Sequence, residues 1–131
     1  MKKTGVLNHR LSAVIATMGH GDMLVVADAG LPIPPGIERI DLAVRAGLPG
    51  VIDVTEAIAE ELQVERIVLA SELESINRPL SDRFAGLFPG AAREVVPHAE
   101  FKRLTAGASA VVRTGECTPY ANVILVSGVT F

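Results

Sequence analysis

The hydrophobic residues of this chain alternate between helical spacing and short uninterrupted runs. An amphipathic helix is predicted near the N-terminus from apolar residues at the i, i+3, i+4 and i+7 positions, which are Leu11, Val14, Ile15 and Met18. The segment 23–27 is instead continuously apolar, which is typical of a central strand that is covered on both faces. Prolines and glycines over 29–36 then indicate a stiff, ordered loop.

The same two patterns recur along the rest of the chain. Further helices are predicted over 51–62, 80–88 and 98–104, and further strands over 66–70, 93–96, 108–113 and 122–127. Helices and strands therefore alternate, which predicts an α/β fold with a mainly parallel or mixed sheet flanked by helices. The 131 residues fit a single domain that spans residues 1–131.

The composition narrows the class of protein. Hydrophobic residues make up 49% of the chain and charged residues 21%, which excludes disorder. A formal net charge of −3 gives no basic surface for phosphates, so we expect no nucleic-acid partner. No apolar stretch is long enough for membrane insertion. The mean hydropathy of +0.38 is high for a small chain and favours subunit interfaces.

The sequence has no pattern that predicts a cofactor or a metal ion. Gly19-His20-Gly21-Asp22 lacks the spacing and the lysine of a phosphate-binding loop, and the three histidines are too scattered for zinc. The single cysteine, Cys117, cannot form an internal disulfide. The N-terminus also lacks the apolar run of a signal peptide, so we expect a cytoplasmic location.

Polar residues beside the predicted strands form the candidate site. We expect all of them to lie outside the carboxyl ends of the strands, where ligands of α/β sheets bind. His20 lies between two glycines, which leave its ring open to a ligand, and it can transfer protons near neutral pH. It could equally cap the C-terminal end of the first helix. Asp28 follows the first strand and could hold a hydroxyl, orient a histidine or simply form a turn.

Further candidates lie in the second half of the chain. His98 follows the third predicted strand, so it could bind a hydroxyl or only begin a helix. Lys102 shares its helix face at i+4 and could reach the same site or remain solvated. Tyr120 and Asn122, at i and i+2, would face one side of an extended segment. Their phenol and carboxamide suit sugar hydroxyls, and a strand-end tyrosine with a hydrogen-bonded hydroxyl is the structural alternative.

Five segments of the chain resemble the ribose/fucose mutarotase family. They are KTGVLN at 3–8, MGHGD at 18–22, DAGLPIP at 28–34, RIDLA at 39–43 and RTGECTPYANVILVSGVTF at 113–131. DAGLPIP and GECTPYAN are the specific ones, and together the segments span both ends of the chain. The resemblance implies a cofactor-free activity that interconverts the pyranose and furanose forms of ribose. It also implies a ring, typically a homodecamer of two stacked pentamers with sites at subunit interfaces.

The resemblance implies a role for each candidate residue as well. His20 matches the family's proton donor. The positions that contact the sugar match Asp28, His98, Tyr120, Ala121 and Asn122, with Lys102 in a second tier. The expected partner is therefore a small monosaccharide.

Two positions depart from the pattern of the ribose-active members. Gly21 stands where the family often has threonine, and His-Gly-Asp also occurs in the fucose branch. Ala99-Glu100 follows His98 where Glu-Gln is expected. The DAGLPIP segment and the C-terminal segment still favour ribose. An L-fucose mutarotase and a non-catalytic sugar-binding protein are the two alternative functions.

Overall fold

Helices and strands alternate in the computed structural model, which describes residues 1–131. The helices are α1 (His9–Thr17), α2 (Val51–Ala59), α3 (Ser71–Ile76), α4 (Arg78–Leu87) and α5 (His98–Leu104). The strands are β1 (Met23–Ala27), β2 (Glu38–Asp41), β3 (Val64–Ala70), β4 (Ala92–Val96), β5 (Ala110–Arg113) and β6 (Val123–Ser127). None of the helices combines the length and the apolar character that crossing a membrane requires.

The six strands form one mixed sheet in the order β2-β5-β1-β6-β3-β4. Strand β6 runs antiparallel to both of its neighbours, β1 and β3, and all other adjacent strands are parallel. The C-terminal ends of β1 to β5 therefore lie together with the start of β6. We call this the carboxyl end of the sheet and the opposite one the amino end.

Apolar side chains cover both faces of the sheet. Leu24 and Val26 belong to a large cluster with residues of α1 to α4, and Val25 belongs to a smaller cluster with Phe101 of α5. All three β1 side chains are fully buried. The continuous apolar run in β1 is thus explained by helices on both faces, as the sequence predicts for a central strand.

The predicted elements are confirmed, and two elements were missed. Strand β2 lies at the border of the sheet and buries only Ile40, so its sequence carries little apolar signal. Helix α3 follows β3 directly, without turn residues to mark its start. The helix predicted from residue 80 begins two residues earlier, because Pro79 fits a first helical turn, where its missing amide costs nothing.

Gly115 allows two backbone segments to pack closely at the carboxyl end of the sheet. Its amide donates to the carbonyl oxygen of Pro49 at 2.9 Å, and its own carbonyl oxygen accepts from the amide of Gly47. A Cβ atom at position 115 would overlap the carbonyl oxygens of Leu48 and Arg45. The loop after β5 is therefore fixed against the segment 45–49.

We expect Gly115→Ala to lower the free energy of unfolding by about 2 kcal/mol or more, since backbone atoms would have to move apart. Gly86→Ala in α4 is the matched control, because a Cβ atom added there would meet no other atom within 4 Å. That change should raise the free energy of unfolding by about 0.5–1 kcal/mol. Urea unfolding measures both, and equal stabilities would contradict the packing at Gly115.

Candidate active site

Two hydrogen bonds join Asp28 and Asn122 at the carboxyl end of the sheet. The Asp28 amide donates to Oδ1 of Asn122 at 2.8 Å, and Nδ2 of Asn122 donates to Oδ2 of Asp28 at 2.9 Å. The pair forms because β1 ends where the antiparallel β6 begins. Asn122 is buried, whereas Asp28 is partly exposed, so the carboxylate is the member that a ligand can reach.

The Asp28 carboxylate also shapes the loop that follows it. Its Oδ1 atom accepts the amide of Gly30 at 2.9 Å, which is the turn interaction expected as the structural alternative. Asp28 lines a cleft of about 380 Å³ together with Ala29, Gly30, Glu116, Cys117, Thr118 and Pro119. The turn role and a ligand-facing position are therefore compatible in the same side chain.

Tyr120 lies in a tight turn rather than in the extended segment that was predicted. The Ala121 amide donates to the carbonyl oxygen of Thr118 at 3.3 Å, and Tyr120 has a φ of 60°. Pro119 at the second turn position and a positive φ at the third define a type II turn, in which glycine is usual. A tyrosine there costs about 1–2 kcal/mol, a cost that is typical of functional sites.

The turn directs Tyr120 against His98. The two rings meet edge to face with centroids 5.0 Å apart, and His98 stacks on Phe101 at 6.1 Å. Nδ1 of His98 is buried without a hydrogen-bond partner, so packing rather than hydrogen bonding holds the ring. His98 and Tyr120, which are 22 positions apart in the chain, thus come together beside the Asp28–Asn122 pair at the carboxyl end.

Glu72 holds the start of α5 and was missed by the sequence analysis. Its Oε2 atom accepts the His98 amide at 2.9 Å, where Pro97 offers no capping side chain. Hydrogen bonds from its own amide and, against a burial cost, from the His98 amide lower the pKa of Glu72. Only the fold could identify this contact, because the two residues lie on different helices.

Glu116 fixes the loop that carries Tyr120 through hydrogen bonds to its carboxylate. Its carboxylate accepts from the hydroxyl of Thr118 at 2.7 Å and from the amide of Val51 at the start of α2 at 3.2 Å. Burial favours the neutral carboxyl, but the hydrogen bonds from Thr118 and Val51 outweigh it and lower the pKa of Glu116. The loop is thereby tied to α2.

Two other predicted residues differ in accessibility. Ala121 is fully buried under the turn and presents no side chain to the cleft. Lys102 is exposed on α5, one turn after His98, and its ammonium group makes no hydrogen bond or ion pair within the chain. It is free to reach a ligand or to remain in solvent, which are the two alternatives stated from the sequence.

His20 lies at the amino end of the sheet, away from the other candidate residues. The prediction that its cluster joins them at one end is wrong, because His20 precedes β1 whereas Asp28 follows it. The five residues of β1 separate the two positions by about 16 Å, at about 3.3 Å per residue. His20 lines a second cleft of about 370 Å³, whose other wall is the C-terminal segment 127–131.

His20 is held there by a side-chain contact. Its Nε2 atom lies 2.9 Å from Oε2 of Glu65, at the start of β3. Helix α1 ends at Thr17, so His20 is not the helix cap that was its structural alternative. Asp22 closes the turn that carries His20, since its carboxylate accepts the Gly19 amide at 2.8 Å. No group of three or more His, Cys, Asp or Glu side chains is arranged to hold a metal ion.

Comparison with known proteins defines the class of protein. The chain belongs to the RbsD / FucU transport protein family, whose model matches residues 1–130. A D-ribose pyranase of Paracidovorax citrulli is 57% identical over 131 residues, which cover 100% of both chains. The expected family resemblance is therefore confirmed.

Two solved structures share the fold. Bacillus subtilis RbsD complexed with D-ribose matches with a TM-score of 0.96 and 46% identity, covering 100% of both chains. FucU from Bifidobacterium longum matches with a TM-score of 0.79 and 26% identity, covering 93% of this chain and 95% of that one. The α/β class with a mixed sheet flanked by helices is the fold of these proteins.

We expect Asn122→Asp to lower the free energy of unfolding by about 2–4 kcal/mol at pH 7, because a second carboxylate would face Asp28 in a buried pair. The loss should shrink as the pH falls, because one of two facing carboxyl groups then takes up a proton and can donate to the other. Urea unfolding at neutral and acidic pH measures this.

The control is the swapped pair Asp28→Asn with Asn122→Asp. It restores one amide and one carboxylate, so it should recover most of the lost stability. Equal stability of the single and the swapped variants would contradict a direct pair between the two side chains.

Proposed function

We propose that this protein is a sugar mutarotase that interconverts the β-pyranose and β-furanose forms of D-ribose. The observation that carries the proposal is the Asp28–Asn122 pair beside His98 and Tyr120, in a chain that matches RbsD from end to end. The Bacillus subtilis relative was solved with D-ribose, and the Paracidovorax relative is named D-ribose pyranase. Both are similar over their full length, which supports the same substrate and an isomerase here.

Sugar recognition falls to the residues at the carboxyl end of the sheet. Asn122 uses one of its two N–H groups for Asp28, and the carboxylate keeps lone pairs for hydroxyl groups. The Tyr120 phenol and the His98 ring add groups that can donate or accept. Lys102 lies one helical turn further on, in a second tier. A site that pairs each hydroxyl of one sugar discriminates against sugars that lack one.

The chemistry is proton transfer without oxidation. His20 gives a proton to the ring oxygen, the bond from that oxygen to the anomeric carbon breaks, and the anomeric hydroxyl loses its proton to water. The product of this step is the open aldehyde. A different hydroxyl then adds to the carbonyl carbon and loses its proton, while the carbonyl oxygen gains one, so the ring changes size. A positioned acid contributes about 10²–10⁴-fold to such a reaction.

His20 and the sugar-binding residues must come from different subunits. Within one chain they face opposite ends of the sheet, about 16 Å apart, which is too far for one sugar to contact both. Head-to-tail contact between copies would bring the His20 cleft of one subunit onto the Asp28 cleft of the next. Contacts of this heterologous kind form a ring when their rotation closes, which supports the ring that the family resemblance implies, typically a homodecamer of two pentamers.

The exposed apolar residues support such contacts. Val129 and Phe131 line the His20 cleft, and Val44 and Leu48 are exposed near the carboxyl end. Exposed side chains of this size are typical of interfaces between protein chains. We expect the assembled protein to act in the cytoplasm on free monosaccharide.

Two alternative functions can be distinguished from the interconversion of ribose ring forms. An L-fucose mutarotase would share the chemistry, but the similarity to FucU is lower, at 26% identity against 46% for RbsD. A non-catalytic sugar-binding protein would need hydroxyl partners but no titratable acid. The position of His20 in a cleft of its own favours catalysis over binding alone.

We expect His20→Ala to lower the rate of ring interconversion by about 10²–10⁴-fold while ribose binding persists, because the acid is lost and the hydroxyl partners remain. Saturation-transfer NMR of D-ribose measures the exchange rate, and titration calorimetry measures binding. L-fucose in parallel tests the substrate.

Acceleration for fucose alone would contradict the ribose assignment, and binding without acceleration by the unaltered protein would contradict catalysis. Wild-type turnover in His20→Ala would show that another residue is the acid.

We expect mixed assemblies of His20→Ala and Asp28→Ala subunits to regain activity that neither variant has alone. If each site uses His20 of one subunit and Asp28 of the next, random mixing leaves about a quarter of the sites intact. The variants are unfolded together, refolded and assayed by NMR exchange. Activity no higher than in the separate variants would contradict a site shared between subunits.

A further inference from the structure

The ring of His20 has one side-chain partner in the structure, the carboxylate of Glu65. The contact joins Nε2 of His20 to Oε2 of Glu65 at 2.9 Å, across 45 positions of sequence. The two side chains are 60% and 45% exposed within the subunit. An ion pair this exposed contributes little to folding stability, so a gain in stability does not account for the contact between His20 and Glu65.

The backbone of His20 is fixed on both sides. The Asp22 amide donates to the carbonyl oxygen of Gly19 at 3.2 Å, and the Asp22 carboxylate accepts the Gly19 amide. Gly21, with a φ of 84°, donates its amide to the carbonyl oxygen of Ser127 at the end of β6. The turn therefore presents the imidazole at its tip, and only the ring orientation is left to be set.

Glu65 lies at a β-bulge. Val64 pairs with Ser127 and Arg66 with Val126, so Glu65 is an extra residue without a partner on β6. One consequence is that Val64 packs in the same core cluster as Ile67, although residues three apart in a regular strand face opposite sides. Bulges re-aim side chains next to functional sites, and this bulge directs Glu65 toward His20.

The contact with Glu65 determines which ring nitrogen of His20 is left free to contact a ligand. An ionised carboxylate can only accept a hydrogen bond, so the hydrogen lies on Nε2. Nδ1 is then the atom left to exchange a proton with a ligand.

The other acidic groups near the ring are already engaged. Glu61, which lines the same cleft, accepts the Val6 amide and pairs with Lys2. The Asp22 carboxylate is bound to the Gly19 amide. Phe131 also lines this cleft and adds an aromatic side chain. Glu65 is the acidic side chain that contacts the imidazole.

We propose that Glu65 is a positioning residue for His20, which holds the ring through Nε2 so that Nδ1 exchanges the proton with the sugar. Glu65 itself neither gains nor loses a proton in the cycle. This inference rests on the proposed function, in which His20 is the acid. It adds a residue from the middle of the chain, where the sequence shows no family motif.

Glu65→Ala should lower kcat by about 10- to 100-fold with KM changed less than about 2-fold, because the acid is disoriented while the sugar-binding residues are intact. Glu65→Gln should retain part of kcat, because its amide oxygen can still accept from Nε2.

Glu56→Ala is the matched control, because Glu56 is an exposed glutamate in the middle of α2 whose side chain makes no hydrogen bond or ion pair. It removes the same charge and should leave kcat and KM unchanged. Saturation-transfer NMR at several ribose concentrations measures all four proteins. A Glu65→Ala variant with the kcat of the control would overturn the proposal.

Mixed assemblies separate this proposal from the one on which it rests. Glu65→Ala subunits should be rescued by Asp28→Ala subunits but not by His20→Ala subunits, because Glu65 and His20 belong to the same subunit. Rescue by His20→Ala subunits would overturn the proposal. An active His20→Ala variant would instead contradict the proposed acid. If the His20→Ala variant is inactive and the Glu65→Ala variant is fully active, the proposed role of Glu65 is contradicted and that of His20 is not.

Discussion

The arrangement of this protein depends on one antiparallel strand inserted into an otherwise parallel sheet. Because β6 pairs with β1 in the opposite direction, its first residues meet the end of β1 and its last residues meet the start. The first meeting creates the Asp28–Asn122 pair, and the second ties Gly21 to Ser127 beneath His20. Both groups of polar residues are thus positioned by the same hydrogen-bonded ladder.

The same ladder separates the candidate residues. A parallel sheet collects functional residues at the carboxyl ends of its strands, and the candidates Asp28, His98 and Tyr120 lie there. His20 does not, because it precedes β1. The proposed head-to-tail assembly is the means by which both groups would reach one sugar.

Three glutamates contact the candidate site residues or the loop that carries one of them. Glu72 holds the His98 amide, Glu116 ties the loop of Tyr120 to α2, and Glu65 holds the ring of His20. Each contact crosses between separate elements of the fold. Carboxylates suit this task because they accept several hydrogen bonds at once and bind charged or polarised donors more strongly than neutral acceptors do.

Hydrophobic periodicity by itself determined the α/β class and the central place of β1, since burial on both faces leaves a continuous apolar run. Local motifs marked His20, Asp28, His98, Tyr120 and Asn122 as candidate site residues. Strand order and direction were decided only by the tertiary structure, because pairing partners are distant in the chain. The separation of His20 from Asp28, the left-handed turn at Tyr120 and the bulge at Glu65 all depend on that pairing. Such long-range contacts leave no period in a sequence.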